Sequence, residues 1–293
     1  MLDLIRNLKA RWRAGANTEL PIAVPVVPAE QTSSIDPRMC GLEDAVKSGW
    51  FLQESDELIK GFQIRAADVF LDFGCGAGGA TAFAAQRGAH VIFSDIERAK
   101  VDALAQRLQS SAARCIQPLV GDDRLALEDA CATKIVCMEV LEHVEAPEKI
   151  MAELVRVGKS GAQYLLTVPA PESEHLQRSF APPAYFDKPN HITVFSNEQF
   201  ARLVEGAGLV IERRDQWGFY WVMWMSLYWA CEKAAGNQQT GAVHDQLTPP
   251  YHPLLNAWAD LWHQFINLPG GVEAKHALDG VLPKTQVIIA RKR

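Results

Sequence analysis

Apolar residues in this chain come in short runs separated by stretches of helical period, and that alternation predicts the architecture. Runs at residues 69–72, 90–93, 115–120, 134–140, 162–168 and 209–213 have the length and composition of strands, most of them buried on both faces. Between them fall helical segments at 80–87, 97–108, 147–157 and 197–205. Pro147 suits a first-turn position, and Ser196 with Gln199 opens the last helix as a capping box. A helix-like segment at 54–61 precedes the first run, and a final strand pattern, TQVIIA, lies at 285–290. Strands and helices alternating in this way predict an α/β fold, a doubly wound, mostly parallel sheet with right-handed crossovers.

Three stretches depart from the alternation. Residues 17–40 carry four prolines and little periodicity, which predicts an extended tether, with the folded domain starting near residue 41. Residues 169–191 make a long Pro-rich connection that contains aromatics and follows a strand ending on the crevice edge, the place for a substrate lid. Residues 216–231, QWGFYWVMWMSLYWAC, hold no charge and four of the eight tryptophans. They are too short to span a membrane. A buried core helix, an apolar wall for a substrate pocket and a membrane-interface anchor all fit them. The domain plan is therefore 1–40 as amphipathic helix and tether, 41–216 with 283–293 as the main domain, and 217–282 as a helical insertion covering the crevice.

Composition narrows the function. A chain of 293 residues with 48% hydrophobic content can bury a sizeable core. Its net charge of −6 is spread along the chain, which argues against a nucleic-acid partner. The six cysteines show no CxxC or other ligand spacing and read as core residues of a reducing compartment, so no metal site is expected. At the start, Leu2, Ile5, Leu8 and Trp12 share a helical face, with Arg6, Lys9, Arg11 and Arg13 between them. Such a helix either packs on the domain or lies on an anionic membrane. It lacks the continuous apolar core of a secretory signal. The expected localisation is cytoplasmic, with peripheral contact at the inner face of the membrane left open through residues 1–15 or 216–231.

The chemistry concentrates where the first strand ends. In VFLDFGCGAGG, Asp72 is followed by four glycines within six residues, Gly74, Gly76, Gly78 and Gly79, so backbone there can pass close to a ligand. Gly74, Gly76 and Gly79 satisfy the GxGxxG of dinucleotide sites. Asp72, Gly74, Gly76 and Gly78 satisfy an acidic-x-Gly-x-Gly-x-Gly pattern equally well, so the turn alone does not choose between ligands. Asp95 ends the second strand about twenty residues further on, where α/β nucleotide folds receive a ribose hydroxyl pair. It can also cap the following helix. Asp122 and Asp123 end the third strand on the same edge.

Together these motifs resemble those of class I S-adenosylmethionine-dependent methyltransferases, in the branch of ubiquinone-biosynthesis-type and related small-molecule enzymes. LDFGCGAGG resembles the first motif, SDIE the second-strand end, GDD the third, and EVLEHV with its Pro-started helix the fourth. HITVFSNEQFARLVEGAGL resembles the segment before the sixth strand. The resemblance covers roughly residues 50–215, and EVLEHV argues against a dehydrogenase. It implies a seven-stranded sheet with an antiparallel last strand at TQVIIA, a helical insertion before it, and S-adenosylmethionine as cofactor. It also implies roles. Gly74, Gly76 and Gly78, with Cys75 in the same turn, pass the methionine part, and Asp72 organises the turn. Asp95 takes the ribose, with Ile96 beside it. Asp122 or Asp123 meets the adenine amino group, and Glu139, Val140 and Leu141 line the sulfonium end.

Methyl transfer from a sulfonium is an in-line displacement, and a hydroxyl acceptor needs a base. His143, just after the fourth strand, and His191, at the end of the lid, are the histidines on crevice segments, although a lone histidine is more often structural. The sheet fixes His143, which makes it the preferred base for an O-methylation. The aromatic segment and basic N-terminus point to an apolar or lipid-linked acceptor, such as a quinone precursor or a saccharide. Soluble sugar, metabolite and protein acceptors stay open, as does a non-catalytic scaffold that binds the cofactor. Nothing in the sequence fixes an oligomeric state.

Overall fold

The computed structural model describes residues 35–121, 124–188, 190–237, 241 and 247–293. Helix α1 (Pro37–Lys47) leads into a three-stranded antiparallel subsheet of β1 (Trp50–Leu52), β2 (Glu57–Ile59) and β3 (Phe62–Gln63). The main sheet follows as β4 (Val69–Phe73), α2 (Gly79–Gln86), β5 (His90–Asp95), α3 (Arg98–Leu108), β6 (Cys115–Val120), β7 (Ala132–Met138), α4 (Pro147–Val157) and β8 (Gly158–Pro169). After the short α5 (Pro171–Gln177) come α6 (Asn197–Gly206), β9 (Leu209–Trp217), α7 (Phe219–Ala234), α8 (Pro253–Ile266), α9 (Gly271–Val281) and β10 (Thr285–Lys292).

The seven strands run in the order β6-β5-β4-β7-β8-β10-β9. The first five are parallel, while β10 is antiparallel to both β8 and β9. Helices cover both faces, which explains the unbroken apolar runs. Leu71, Phe73, Ile135, Cys137, Tyr164 and Leu166 pack under α4 and α6, whereas Phe70, Val136, Leu165, Val287 and Ile289 face α2, α3 and the subsheet.

Two local expectations change. The helix-like segment at 54–61 is strand and turn instead: Gly61 has φ +89°, and the tight hairpin it permits buries Leu58, Ile59 and Phe62 against the sheet. The proline-rich stretch also gives way early, at Pro37, to α1, whose first turn Asp36 caps through Arg38 N. Residues 1–34, which include the basic amphipathic segment and most of the proline-rich stretch, lie outside the described residues.

α1, α7 and α8 gather around one aromatic cluster that contains Cys40, Tyr220, Trp221, Trp224, Trp229 and Trp262. Gly41 makes the packing of α1 possible, since a Cβ there would lie 2.1 Å from Trp221 Cζ2. Buried Lys275 donates to Asp279 Oδ2 at 2.5 Å and stands 3.3 Å from Asp44 Oδ1, tying α9 to α1. The other oxygen of Asp279 accepts from Gly218 N and Phe219 N at 2.9 Å, placing a carboxylate at the N-terminus of α7. Trp221, Trp224 and Trp229 of α7 are therefore turned into a core. No helix among the described residues is long and apolar enough to cross a membrane.

Candidate functional site

Strands β4 and β7 are neighbours whose connections leave in opposite directions, so their carboxyl ends open the crevice of a doubly wound sheet. From β4 the chain enters the glycine turn, where Gly74, Gly76 and Gly78 have φ of +74°, +50° and +75°. Their surroundings differ. A Cβ on Gly74 would lie 2.4 Å from Val140 Cγ2 and one on Gly78 2.4 Å from Leu104 Cδ1, whereas one on Gly76 meets nothing within 4 Å. Gly74 thus lets residue 140 close on the turn, Gly78 lets α3 close on it, and Gly76 faces open space.

Asp95 braces the same turn. Its Oδ2 accepts from Gly76 N at 3.0 Å and its Oδ1 from Glu97 N at 3.0 Å, which leaves lone pairs on both oxygens for further donors. Beside it Ile96 is 66% exposed, an apolar side chain held out where a flat base could lie. Asp72 is buried and accepts from Thr81 Oγ1 at 2.6 Å, so it fastens α2 to the strand, and burial pushes its pKa up to about 6. Burial, with Asp72 second, pushes the Cys75 thiol up to about 12, which keeps it inert. Asp122 and Asp123 lie outside the described residues.

The other wall follows β7. Glu139 has φ +54°, rare for a non-glycine residue. Thr167 Oγ1 holds its Oε1 at 2.9 Å, Glu139 N donates to Thr167 O at 3.1 Å, and Lys284 Nζ lies 3.4 Å from its Oε2. A 3₁₀ turn, Leu141–His143, follows. Within it Glu142 is fully buried, and neither carboxylate oxygen has a hydrogen-bond partner among the described residues. Burial first, and then the charge of Glu139, holds its pKa well above the usual carboxylate range.

The connection that follows β8 supplies the facing group. His191 is buried with Nδ1 3.1 Å from both oxygens of Glu174, and Tyr185 OH donates to Glu174 Oε1 at 3.3 Å. The rings of His143 and His191 stand edge to face at 5.1 Å, and His143 Nε2 is 3.5 Å from Glu142 Oε1. The two histidines singled out in the sequence are thus neighbours, although 48 residues separate His143 from His191 in the chain. Glu142, Glu174 and Tyr185 complete the cluster. Glu142 sat in view within EVLEHV, while Glu174 lies in an ordinary acidic run, PESEH, with no spacing to mark it.

Glu142, His143 and His191 each offer a ligand atom, all within 4.8 Å of one another, a grouping that cysteine spacing could not reveal. Atoms sharing a tetrahedral zinc stand about 3.4 Å apart, so these three could hold a divalent ion only by closing on it.

This sheet order, with a three-glycine turn after one central strand and a carboxylate ending the next, defines a class I S-adenosylmethionine-dependent methyltransferase. The chain belongs to the methyltransferase-domain family, whose model matches residues 52–213. Among curated proteins it is similar to the ubiquinone biosynthesis O-methyltransferase of Hahella chejuensis, 34% identical over 93 residues, covering 31% of this chain and 39% of that protein. The namesake from Aeromonas salmonicida is 27% identical over 177 residues, covering 52% of this chain and 66% of that one. The chain thus spans from 39% to 66% of the length of these two relatives. In fold it is similar to a provisionally assigned methyltransferase from Bacillus halodurans C-125, with TM-score 0.51, 15% identity, and coverage of 85% of this chain and 99% of that one. The residues present fit S-adenosylmethionine, since Gly76 is open, Asp95 keeps free lone pairs and Ile96 stands exposed beside it. When bound, that group supplies an electrophilic methyl on sulfur.

Proposed function

We propose that this protein methylates a hydroxyl oxygen of a small apolar or lipid-linked acceptor, such as a quinone precursor or a lipid-linked saccharide. The observation that carries this reading is the apposition of His143 and His191, 5.1 Å apart, one on a sheet end and the other on the lid. A hydroxyl acceptor needs its proton removed as the new bond forms, and a positioned base contributes about 10²–10⁴ in rate. The imidazole pair is suited to take it, and His143, fixed by the sheet, is the first to test.

Around the cofactor, Asp95 and Ile96 would hold the nucleoside, and Asp122 or Asp123 would meet the adenine amino group. Gly74, Cys75, Gly76 and Gly78 would pass the methionine part, with Glu139, Val140 and Leu141 towards the sulfonium. Residues 41–216 with 283–293 form the catalytic domain in this reading, residues 217–282 the cap over the acceptor, and residues 1–40 a tether able to touch a membrane. The aromatic cap supports an apolar acceptor, since Trp229 packs on Tyr185 at 4.9 Å and Tyr185 on His191 at 4.4 Å. The names of the curated relatives support it too.

The test is turnover with methyl-labelled cofactor and phenolic acceptors with and without an isoprenoid tail, extracting lipid, aqueous and protein fractions separately. Label in the lipid fraction is the expected result. Label confined to the aqueous or protein fraction would replace the acceptor class, and cofactor binding without any turnover would favour a scaffold. His143→Ala should lose about 10²–10⁴ in kcat at unchanged cofactor affinity. Full turnover by that variant would remove His143 as base.

A further inference from the structure

Two side chains of α3 press on the glycine turn. A Cβ on Gly78 would lie 2.4 Å from Leu104 Cδ1 and 3.0 Å from Arg107 Nη2, so both side chains, on one face of α3, meet the turn at the same residue. Arg107 Nη2 donates to Ala77 O at 2.7 Å and stands 3.4 Å from Gly78 O. The nitrogen of the same peptide unit, Gly78 N, donates to Cys75 O at 2.7 Å, so the peptide joining Ala77 to Gly78 is held at both its oxygen and its nitrogen. Just before it, Gly76 N donates to Asp95 Oδ2 at 3.0 Å. Gly76 therefore lies between two anchors, Asp95 on its own nitrogen and Arg107 on the carbonyl of the next residue.

These anchors matter because the turn has little stiffness of its own. Gly74, Gly76 and Gly78 all have positive φ, and without a Cβ the peptides beside them can rotate at small cost. A turn that is ordered only when its ligand arrives loses that ordering free energy from its affinity, and a turn ordered beforehand does not. A guanidinium N–H donating to a carbonyl is a charge-assisted bond, stronger than a bond between neutral groups. We infer that Arg107 is a positioning residue for the cofactor: it fixes the peptide between Ala77 and Gly78 and so preorganises Gly76 to pass the methionine part of S-adenosylmethionine. The choice of the methionine part rests on the proposed assignment of the turn; the bracing of the turn does not.

The test is calorimetric titration of the full chain with S-adenosylmethionine and with methylthioadenosine, which keeps the nucleoside and the sulfur but lacks the amino-acid part. Arg107→Ala should weaken S-adenosylmethionine about 10-fold and methylthioadenosine by less than about 2-fold, the scale of one hydrogen bond from a charged donor. Arg107→Lys keeps the charge and a donor and should recover most of that loss, whereas Arg107→Met keeps only the stem and should match Arg107→Ala. In the free protein the Gly78 amide should exchange about 10-fold faster in Arg107→Ala, while the amides of Val91 and Leu165 in the sheet keep their native rates. None of these readouts needs a methyl acceptor, so they stand apart from the O-methylation reading. Native affinity for both ligands in Arg107→Ala, or Arg107→Met binding as tightly as Arg107→Lys, would overturn the role of Arg107 and leave the assignment of the turn standing. Faster exchange throughout the sheet would overturn it too, since Arg107 would then hold the fold and not the turn. Equal losses for the two ligands would overturn the assignment of the turn to the methionine part.

Discussion

Substituting Gly74 separates backbone strain from close approach at the cofactor turn. Alanine there must adopt φ +74°, which costs roughly 1–2 kcal/mol for an L-residue. Its Cβ would also lie 2.4 Å from Val140 Cγ2, so the stiff β-branched side chain or the turn has to move. Gly76 is the internal control, with φ +50° but nothing within 4 Å of a Cβ, so Gly76→Ala carries strain alone. Gly74→Ala should therefore cost more than Gly76→Ala by an overpacking increment of about 1–3 kcal/mol, shared between stability and cofactor affinity. Truncating Val140 to alanine removes the offending methyl and leaves its Cβ at 3.6 Å, an ordinary contact. In the Gly74→Ala/Val140→Ala double variant most of that increment should return, as a coupling of at least about 0.5 kcal/mol. Urea melts and calorimetric titration with S-adenosylmethionine measure both shares. Equal losses in the Gly74 and Gly76 variants, or strict additivity in the double variant, would refute the close-approach account.

Three further outcomes follow from the buried charges and the aromatic cluster. Burial raises the Asp72 pKa to about 6, so its protonation favours the fold: this contribution is full below the unfolded carboxylate pKa and is lost as pH rises through about 6. Asp72→Asn should accordingly gain on the native protein between pH 4.5 and 7.5, on the order of 1–3 kcal/mol in paired urea melts, and a constant difference would contradict this. Lys275→Met leaves Asp44 and Asp279 buried without their cation and should cost about 3–5 kcal/mol, with loss of near-ultraviolet tryptophan dichroism from the aromatic cluster. Gly41→Ala drives a Cβ into Trp221 and should cost about 1–3 kcal/mol in a urea melt followed by tryptophan fluorescence.

Much of the core was legible because local physics and the final fold agree there. Residues 115–120 and 147–157 have the predicted bounds, and the Ser196–Gln199 capping box forms as its spacing requires. The segment at 54–61 misled because Leu58, Ile59 and Phe62 have a spacing that a helix also uses, while Gly61 at φ +89° selects a hairpin. Long apolar residues near a single glycine cannot decide between these until a sheet face is available to bury them. In the site, Asp72 and Asp95 stand at strand ends that the sequence marks by polarity, next to glycines. Glu174 has no such mark: its partner is 17 residues away, and only the path of the chain after β8 brings the two together.

The sequence by itself determined the succession of main-sheet strands and their helices along the chain, the glycine turn and the acidic end of β5, because period, glycine and polarity act over a few residues. The tertiary structure decided three further things. It buried Trp221, Trp224 and Trp229 of α7 in an aromatic core, since α1 and α8 supply the apolar faces that cover them. It set Val140 against Gly74 and so closed one wall of the turn. It also gathered His143, His191 and Glu174 into one cluster, because the path of the connection after β8 along the sheet edge is a property of the whole fold and leaves no periodic trace along the chain.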